Sequence, residues 1–246
     1  MGITLINPPE KLRVWAGVSE SMSYGVYCFP PLGLMYIQAA LEKHTDYTCE
    51  IYDAVVDDMT HDDFEKGLVD YDLDIVGIST YTHSLPDVMQ SILTVKKRNP
   101  NAIIILGGPH CIMFPEESIA LPHVDFVCTG DGDVVFPELI AALDNGTALE
   151  EVKGVWFKDS SGQVVKNPPH KETRDLSWQT WPDRRRIRYQ DYWVPATTQD
   201  MVTTAITSRG CPHSCPFCLT YTKSYRMREI DNILDEIEDC ISIGIT

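Results

Sequence analysis

Apolar and polar positions alternate in blocks over the first 150 residues. Ile3-Thr4-Leu5-Ile6 is an apolar run that stops at Asn7-Pro8-Pro9, which predicts a strand ending in a loop. After Pro30-Pro31, the stretch Leu32 to His44 places Leu34, Ile37 and Leu41 at helical spacing. Cys49 to Asp53 reads as a second strand, and residues 60–70 as a polar helix with Thr60 as its N-cap. Asp74 to Ser79 is a third strand, apolar and β-branched, followed by a helix from Pro86 to Arg98. Ala102 to Leu106 is a fourth, running into Gly107-Gly108-Pro109-His110. Val124 to Cys128 is a fifth, ending at Gly130-Asp131-Gly132-Asp133, and a helix from Phe136 to Leu143 ends the series.

Strands that are apolar throughout are buried on both faces, and their alternation with helices predicts βαβ units in a parallel sheet with right-handed crossovers. The expected fold class is therefore α/β, a flavodoxin- or Rossmann-like sheet. Ligands of such sheets bind beyond the carboxyl ends of the strands. Here those ends carry Asn7-Pro8-Pro9, Asp53, Ser79-Thr80, Gly107-Gly108 and Gly130-Asp131-Gly132, residues small enough for close backbone approach. The first strand leads to Asn7-Pro8-Pro9 and not to a Gly-x-Gly-x-x-Gly turn, so the dinucleotide phosphate fingerprint is absent.

The pattern changes after residue 150. Val155-Trp156-Phe157 and Gln163-Val164-Val165 read as a β-hairpin, and residues 167–200, rich in Pro, Trp, Arg and Tyr, as an ordered linker. Arg184-Arg185-Arg186 within it reads as a solvated turn, with an anionic ligand or a domain contact as the sharper alternative. Met201 to Thr207 is expected to be a strand and Glu229 to Ile241 a helix; Gly244-Ile245-Thr246 resembles the approach to another strand.

Charge and cysteine usage narrow the class. The chain has 246 residues, 43% of them hydrophobic, enough for a packed core and against wholesale disorder. The net charge of −16 sits wholly in residues 1–150, whereas residues 151–246 are balanced. An acidic front part repels polyanions, so no nucleic acid partner is expected. No signal peptide, myristoylation pattern or apolar run long enough to span a membrane is found, and a cytoplasmic location is expected. Of the eight cysteines, Cys49, Cys111 and Cys128 read as buried small hydrophobes.

Three others bunch in Ser208-Arg209-Gly210-Cys211-Pro212-His213-Ser214-Cys215-Pro216-Phe217-Cys218, a Cys-x3-Cys-x2-Cys spacing. Three thiolates on one short loop suit a 4Fe–4S cluster with one iron left open, since electron-transfer clusters use four cysteines. Zinc with His213 as fourth ligand, and three unrelated cysteines, are the rival readings; His213 lies inside the loop, poor geometry for closing a tetrahedron. The loop resembles the signature of the radical SAM superfamily, with Phe217 at its aromatic position. The resemblance implies that Cys211, Cys215 and Cys218 hold the cluster. It implies too that the open iron chelates S-adenosylmethionine with Phe217 near the adenine, and that one electron then releases a 5′-deoxyadenosyl radical.

Residues 1 to about 145 also resemble the cobalamin-binding domain found at the front of many radical SAM enzymes. Asn7-Pro8-Pro9, Pro31-Leu32-Gly33-Leu34, Val76-Gly77-Ile78-Ser79, Gly107-Gly108-Pro109-His110 and Gly130-Asp131-Gly132-Asp133 carry the likeness. It implies cobalamin contacts at Asn7, Pro8, Ser79, Thr80, Gly107, Gly108, Gly130, Asp131 and Gly132. Domains that supply an axial histidine carry Asp-x-His-x-x-Gly after the second strand; here the stretch is Asp53-Ala54-Val55-Val56-Asp57-Asp58. No imidazole comes from this loop, as is usual in the radical SAM subfamily, and His83 and His110 are expected to be loop residues rather than axial ligands.

Three regions are thus expected: a cobalamin-binding domain over 1–145, a hairpin and linker over 146–200, and the first βα unit of a radical SAM (β/α) barrel over 201–246. A complete barrel takes about 250 residues, so the chain is expected to be a piece of a longer protein. The resemblance implies a methyltransferase acting on an unactivated carbon, with an electron donor such as flavodoxin or ferredoxin and a small-molecule or peptide substrate. A cyclase or rearrangement enzyme on a tetrapyrrole or lipid, and a non-catalytic cobalamin-binding or electron-transfer module, are the alternatives.

Overall fold

The computed structural model describes residues 1–13, 28–171, 176, 179–192, 201–218 and 224–245. A seven-stranded sheet organises it, in the order β2-β1-β3-β4-β5-β6-β7. Strands β1 (Ile3–Asn7), β2 (Glu50–Asp53), β3 (Ile75–Ser79), β4 (Ile103–Gly107) and β5 (Phe126–Cys128) are parallel. That order is the flavodoxin-like doubly wound one, whose crevice opens where β1 is flanked by β2 on one side and β3 on the other. The hairpin β6 (Val155–Lys158) and β7 (Val164–Lys166) adds to β5 antiparallel, so the sheet runs on past residue 145 to its second edge.

Alternation along the strands builds two cores. Ile75 and Ile105 face α1 (Leu32–His44) and α6 (Gly132–Asn145), packing with Leu34, Leu41, Phe136 and Leu139. Val76, Ile78, Ile104 and Leu106 face the other way, onto α2 (His61–Gly67), α3 (Leu85–Arg98), α4 (Pro109–Met113) and α5 (Pro115–Ala120) through Phe64, Val88, Ile92, Cys111 and Ile119. Thr60 caps α2 as the sequence suggests, in a capping box with Asp63. Cys49, Cys111 and Cys128 are buried, as read.

Two expectations need correction. The last helix of the sheet domain, α6, begins at Gly132 and not near Phe136. The Gly130-Asp131-Gly132-Asp133 stretch has the composition of a turn, yet the Asp131 carbonyl accepts from Val134 and Val135 and opens the helix four residues earlier. Second, among the described residues Met201 to Ile206 pairs with no strand, and Thr207 joins one only through its carbonyl, which accepts from the Arg228 N–H at 3.0 Å. The segment's other polar groups go elsewhere: Arg184 reaches Thr203 Oγ1 at 2.9 Å and the Thr204 carbonyl at 2.7 Å, and Arg228 reaches the Ile206 carbonyl at 2.9 Å. Pairing starts only at β8 (Ser208–Arg209), antiparallel to β9 (Arg226–Met227), before α7 (Ile230–Ser242).

Arg184 is not solvated. It is fully buried and donates to Glu236 Oε1 on α7 at 2.7 Å, while Arg228 donates to Oε2 of the same carboxylate and lies 3.4 Å from Tyr36 Oη on α1. Arg185 and Arg186 are half-exposed, paired with Asp239 at 2.9 Å and Glu42 at 2.8 Å. One arginine of the three thus makes a buried contact with α7. A carboxylate shared by two buried guanidiniums is costly to break, because the survivors stay desolvated without a counter-charge. Glu236→Ala is expected to cost about 3–5 kcal/mol, read as the shift in denaturant midpoint; a loss under about 1 kcal/mol, the scale of an exposed pair, would show that water reaches the arginines.

Candidate functional site

Beyond the carboxyl ends of β1, β3, β4 and β5 lies a cavity of about 410 Å³. Its size is that of small-molecule sites, which are mostly apolar with a few fixed polar groups. Glycines make room for it. Gly77 sits in mid-strand, where an added Cβ would lie 2.8 Å from Leu5 and 3.2 Å from Phe136. A Cβ on Gly132 would lie 2.9 Å from Ile37, and one on Gly108, at φ +106°, would lie 2.9 Å from the Thr80 carbonyl oxygen. At Gly33 an added Cβ would meet nothing within 4 Å, because the residue opens onto the cavity. Leu5, Ile105 and Phe136 supply apolar walls.

The structure brings Ser79, Gly107, Gly108, Gly130, Asp131 and Gly132 together around this cavity. It does not bring the other expected contacts there. Asn7 spends its amide on Asp53 Oδ1 at 2.8 Å, and Pro8 is buried beside it. Thr80 is fully buried; its N–H donates to the Gly107 carbonyl at 2.8 Å and its own carbonyl accepts from His110 at 3.1 Å, so it fixes the glycine turn from behind. Sequence reasoning missed Gly33, Gly77, Tyr36 and Phe136 as lining residues. The signal lay in Gly77, a glycine inside a strand, which marks close approach.

Polar closure comes from the second half of the chain. Arg209 makes a bidentate contact with Asp133, at 2.9 and 3.0 Å, lies 3.3 Å from Asp131, and stacks 5.6 Å over the Tyr36 ring. Arg226 donates to Asp131 at 2.7 Å, and Gln179 to Asp133 at 2.7 Å. The acidic turn after β5 is therefore neutralised and largely buried, not solvated. Asp131 occupies the N-cap of α6 but caps nothing, because its carboxylate faces the arginines.

The cysteine loop leaves β8 beside the cavity. Cys211 is half-buried, Cys215 and Cys218 are exposed, and none of the eight cysteines is disulfide-bonded. The donor set suits iron: three sulfurs on one short loop. The loop holds them apart, however, and among the described residues no three ligating side chains converge. Phe217 is 86% exposed and does not line the cavity. His110 is buried, bonded through Nδ1 to Thr82 Oγ1 at 3.1 Å, and burial lowers its pKa; neither it nor His83 reaches the cavity wall.

Residues 24–140 match the model of the B12 binding domain. Over 96% of its length the chain is 30% identical to an uncharacterized methyltransferase of Pyrococcus horikoshii, spanning 50% of that protein. It is 28% identical, over 67% of its length, to the cobalamin-dependent radical SAM methyltransferase TokK of Streptomyces tokunonensis, of which it spans 25%. The chain carries a B12 binding domain and is similar to cobalamin-dependent radical SAM enzymes. Its fold is that of the cobalamin-dependent S-adenosylmethionine radical enzyme OxsB with aqua-cobalamin bound, with a TM-score of 0.70 at 23% identity, covering 98% of this chain and 32% of that one. The chain spans about half the length, or less, of the relatives it matches. Cobalamin is the cofactor the matched domain supports, and the domain's glycine-rich rim is the cavity described above.

In this B12-binding domain, Asp53 stands where an axial-histidine motif would begin. It is buried, accepting from Tyr192 Oη at 2.8 Å, Asn7 at 2.8 Å and the Val55 N–H at 3.0 Å. Burial raises its pKa, against the hydrogen bonds that lower it. A raised carboxyl favours the fold in its neutral form, so this contribution is complete below the unfolded value of about 3.9 and is lost as pH rises through the folded one. Asp53→Asn is therefore expected to gain stability relative to the parent chain as pH climbs from about 4 towards 7, in thermal melts at stepped pH. Parallel pH profiles for the two proteins would show that Asp53 is already ionised at no cost.

Proposed function

We propose that the chain is the cofactor-binding front of a cobalamin-dependent radical SAM enzyme, a methyltransferase acting on an unactivated carbon. The observation that carries the reading is the juxtaposition of a glycine-rimmed cavity in a B12-binding domain with a three-cysteine loop launched from its edge. Val55, at the histidine position, leaves this loop without an imidazole for cobalt. Cys128 lines the cavity, but burial pushes its pKa up to about 12, so it stays a thiol.

Cys211, Cys215 and Cys218 are the residues that would hold a 4Fe–4S cluster, with Phe217 against the adenine of S-adenosylmethionine. Such a group supplies one-electron cleavage of the sulfonium, and cobalamin supplies methyl transfer. The chain's own contribution is to bind, to orient and to exclude water: Leu5, Ile105 and Phe136 keep the cavity dry, and Arg209 and Arg226 close its polar side without leaving a net charge. The substrate class expected is a small molecule or peptide, and the electron donor a flavodoxin or ferredoxin.

Gly33→Phe tests the cavity. Its side chain enters open space on a helix, so folding is expected to be unimpaired while the corrin absorption bands of bound hydroxocobalamin are lost; retention of those bands would place cobalamin elsewhere. Anaerobic reconstitution tests the loop: iron and sulfide are expected in the parent chain and to fall to background on replacing any one of the three cysteines by Ala. Formation of 5′-deoxyadenosine by the full-length protein tests the radical step, and its absence from a cluster-loaded, reduced preparation would reject it.

A further inference from the structure

We propose that Asp131 and Asp133 template the closure of the cysteine loop. Strands β8 and β9 contribute two residues each, far too few to hold a ribbon together by ladder bonds. Worse, Arg209 and Arg226 stand directly opposite one another in the register, and like charges across a pair are destabilising. Both guanidiniums are withdrawn from water, with side chains 15% and 1% exposed. Two carboxylates of the other domain lie over the ribbon and offset that repulsion. Asp133 takes Arg209 through both oxygens, Asp131 lies between the two arginines, and Gln179 holds the Asp133 carboxylate from its far side. The backbone bond from Arg228 N–H to the Thr207 carbonyl, 3.0 Å, extends the ribbon by one rung. Directly after Arg209, Gly210 takes φ +83°, a left-handed turn that sends the chain into the cysteines. Both ends of the cysteine segment are thus pinned to the first turn of α6.

The same residues line the cavity: Asp131 and Asp133 from one domain, Arg209, Gly210 and Arg226 from the other. On the reading that the cavity takes cobalamin and the loop takes iron, the two sites share a wall. A ligand that orders this wall lowers the cost of ordering it for the second ligand, and the effect is reciprocal.

Two measurements test this, one of which needs no cofactor. In the metal-free chain, Asp133→Asn or Arg226→Gln is expected to speed amide hydrogen exchange at residues 208–209 and 226–228 about tenfold or more, with β1, β3 and β4 unchanged. Unchanged exchange at the ribbon in a folded variant would overturn the template outright. If either variant fails to fold, Arg209→Gln removes the bidentate contact with Asp133 while leaving both carboxylates in place. In the second, the Kd of hydroxocobalamin is measured with and without anaerobic loading of iron and sulfide. A tightening of about fivefold or more on loading is expected for the parent chain, within the usual range of coupling factors, and the ratio of the two Kd values is expected to fall to one in Asp133→Asn. Equal Kd values for loaded and unloaded parent chain, or a ratio unmoved by the substitution, would overturn the coupling. Failure to bind hydroxocobalamin or iron at all would instead reject the cofactor assignment, and the exchange result would stand by itself.

Discussion

A charge taken out of water needs a partner within reach, and in this chain the partners come from opposite halves. Asp131 and Asp133 open α6 of the B12-binding domain; Arg209 and Arg226 flank the cysteine loop. Glu236 on α7 answers Arg184 from the linker and Arg228 from the end of the ribbon. None of these groups could be buried alone at tolerable cost. Their mutual satisfaction decides where the second half of the chain lies against the first, a task that apolar packing, being non-directional, performs with less specificity. The balanced charge of residues 151–246 is a property of that half taken alone; Arg186, Arg188, Arg209 and Arg226 are spent on acids of the strongly negative front.

The cavity follows from the opposite principle, the withholding of side chains. A parallel sheet covered on both faces fills its interior completely, as both apolar clusters here show. Space at the carboxyl ends of the strands arises where Gly77 and Gly107 leave the pleat bare and where Gly33 and Gly132 thin the facing helices. The left-handed turn at Gly108 tucks the backbone against Thr80, keeping the rim low. A binding site of this kind is a property of the backbone, with a neutral, mostly apolar interior and its polar groups confined to one wall.

Much of the sheet domain was legible because its determinants are local. Each strand is an apolar run closed by a turn residue, and each of the longer helices repeats its apolar residues at the right period. The cysteine spacing was equally local, and so were the glycine pairs. What failed to show in the sequence depends on residues far apart in the chain. The segment from Met201 to Thr207 has the composition of a strand, but its carbonyls are claimed by Arg184 and Arg228. The turn at Arg184 has the composition of a solvated loop, yet the first arginine is drawn inward by a glutamate more than fifty residues later. The sequence pattern places the start of α6 late because the Gly130-Asp131-Gly132-Asp133 stretch has the composition of a turn, whereas the Asp131 carbonyl accepts from two N–H groups and starts the helix there. Nor could spacing show that Asn7 and Thr80 would be occupied by structural bonds.

The distribution of thiols has a bearing on how the protein ages. Cys49, Cys111 and Cys128 lie inside the sheet domain, where desolvation keeps them protonated and inert. Cys215 and Cys218 face solvent on the same short loop, with Cys211 half-covered beside them. Oxygen and electrophiles will therefore find the loop long before they find the core. A sample handled in air is expected to keep its melting behaviour and its native dichroism while losing its capacity for iron, so a well-folded preparation is no guarantee of a competent one.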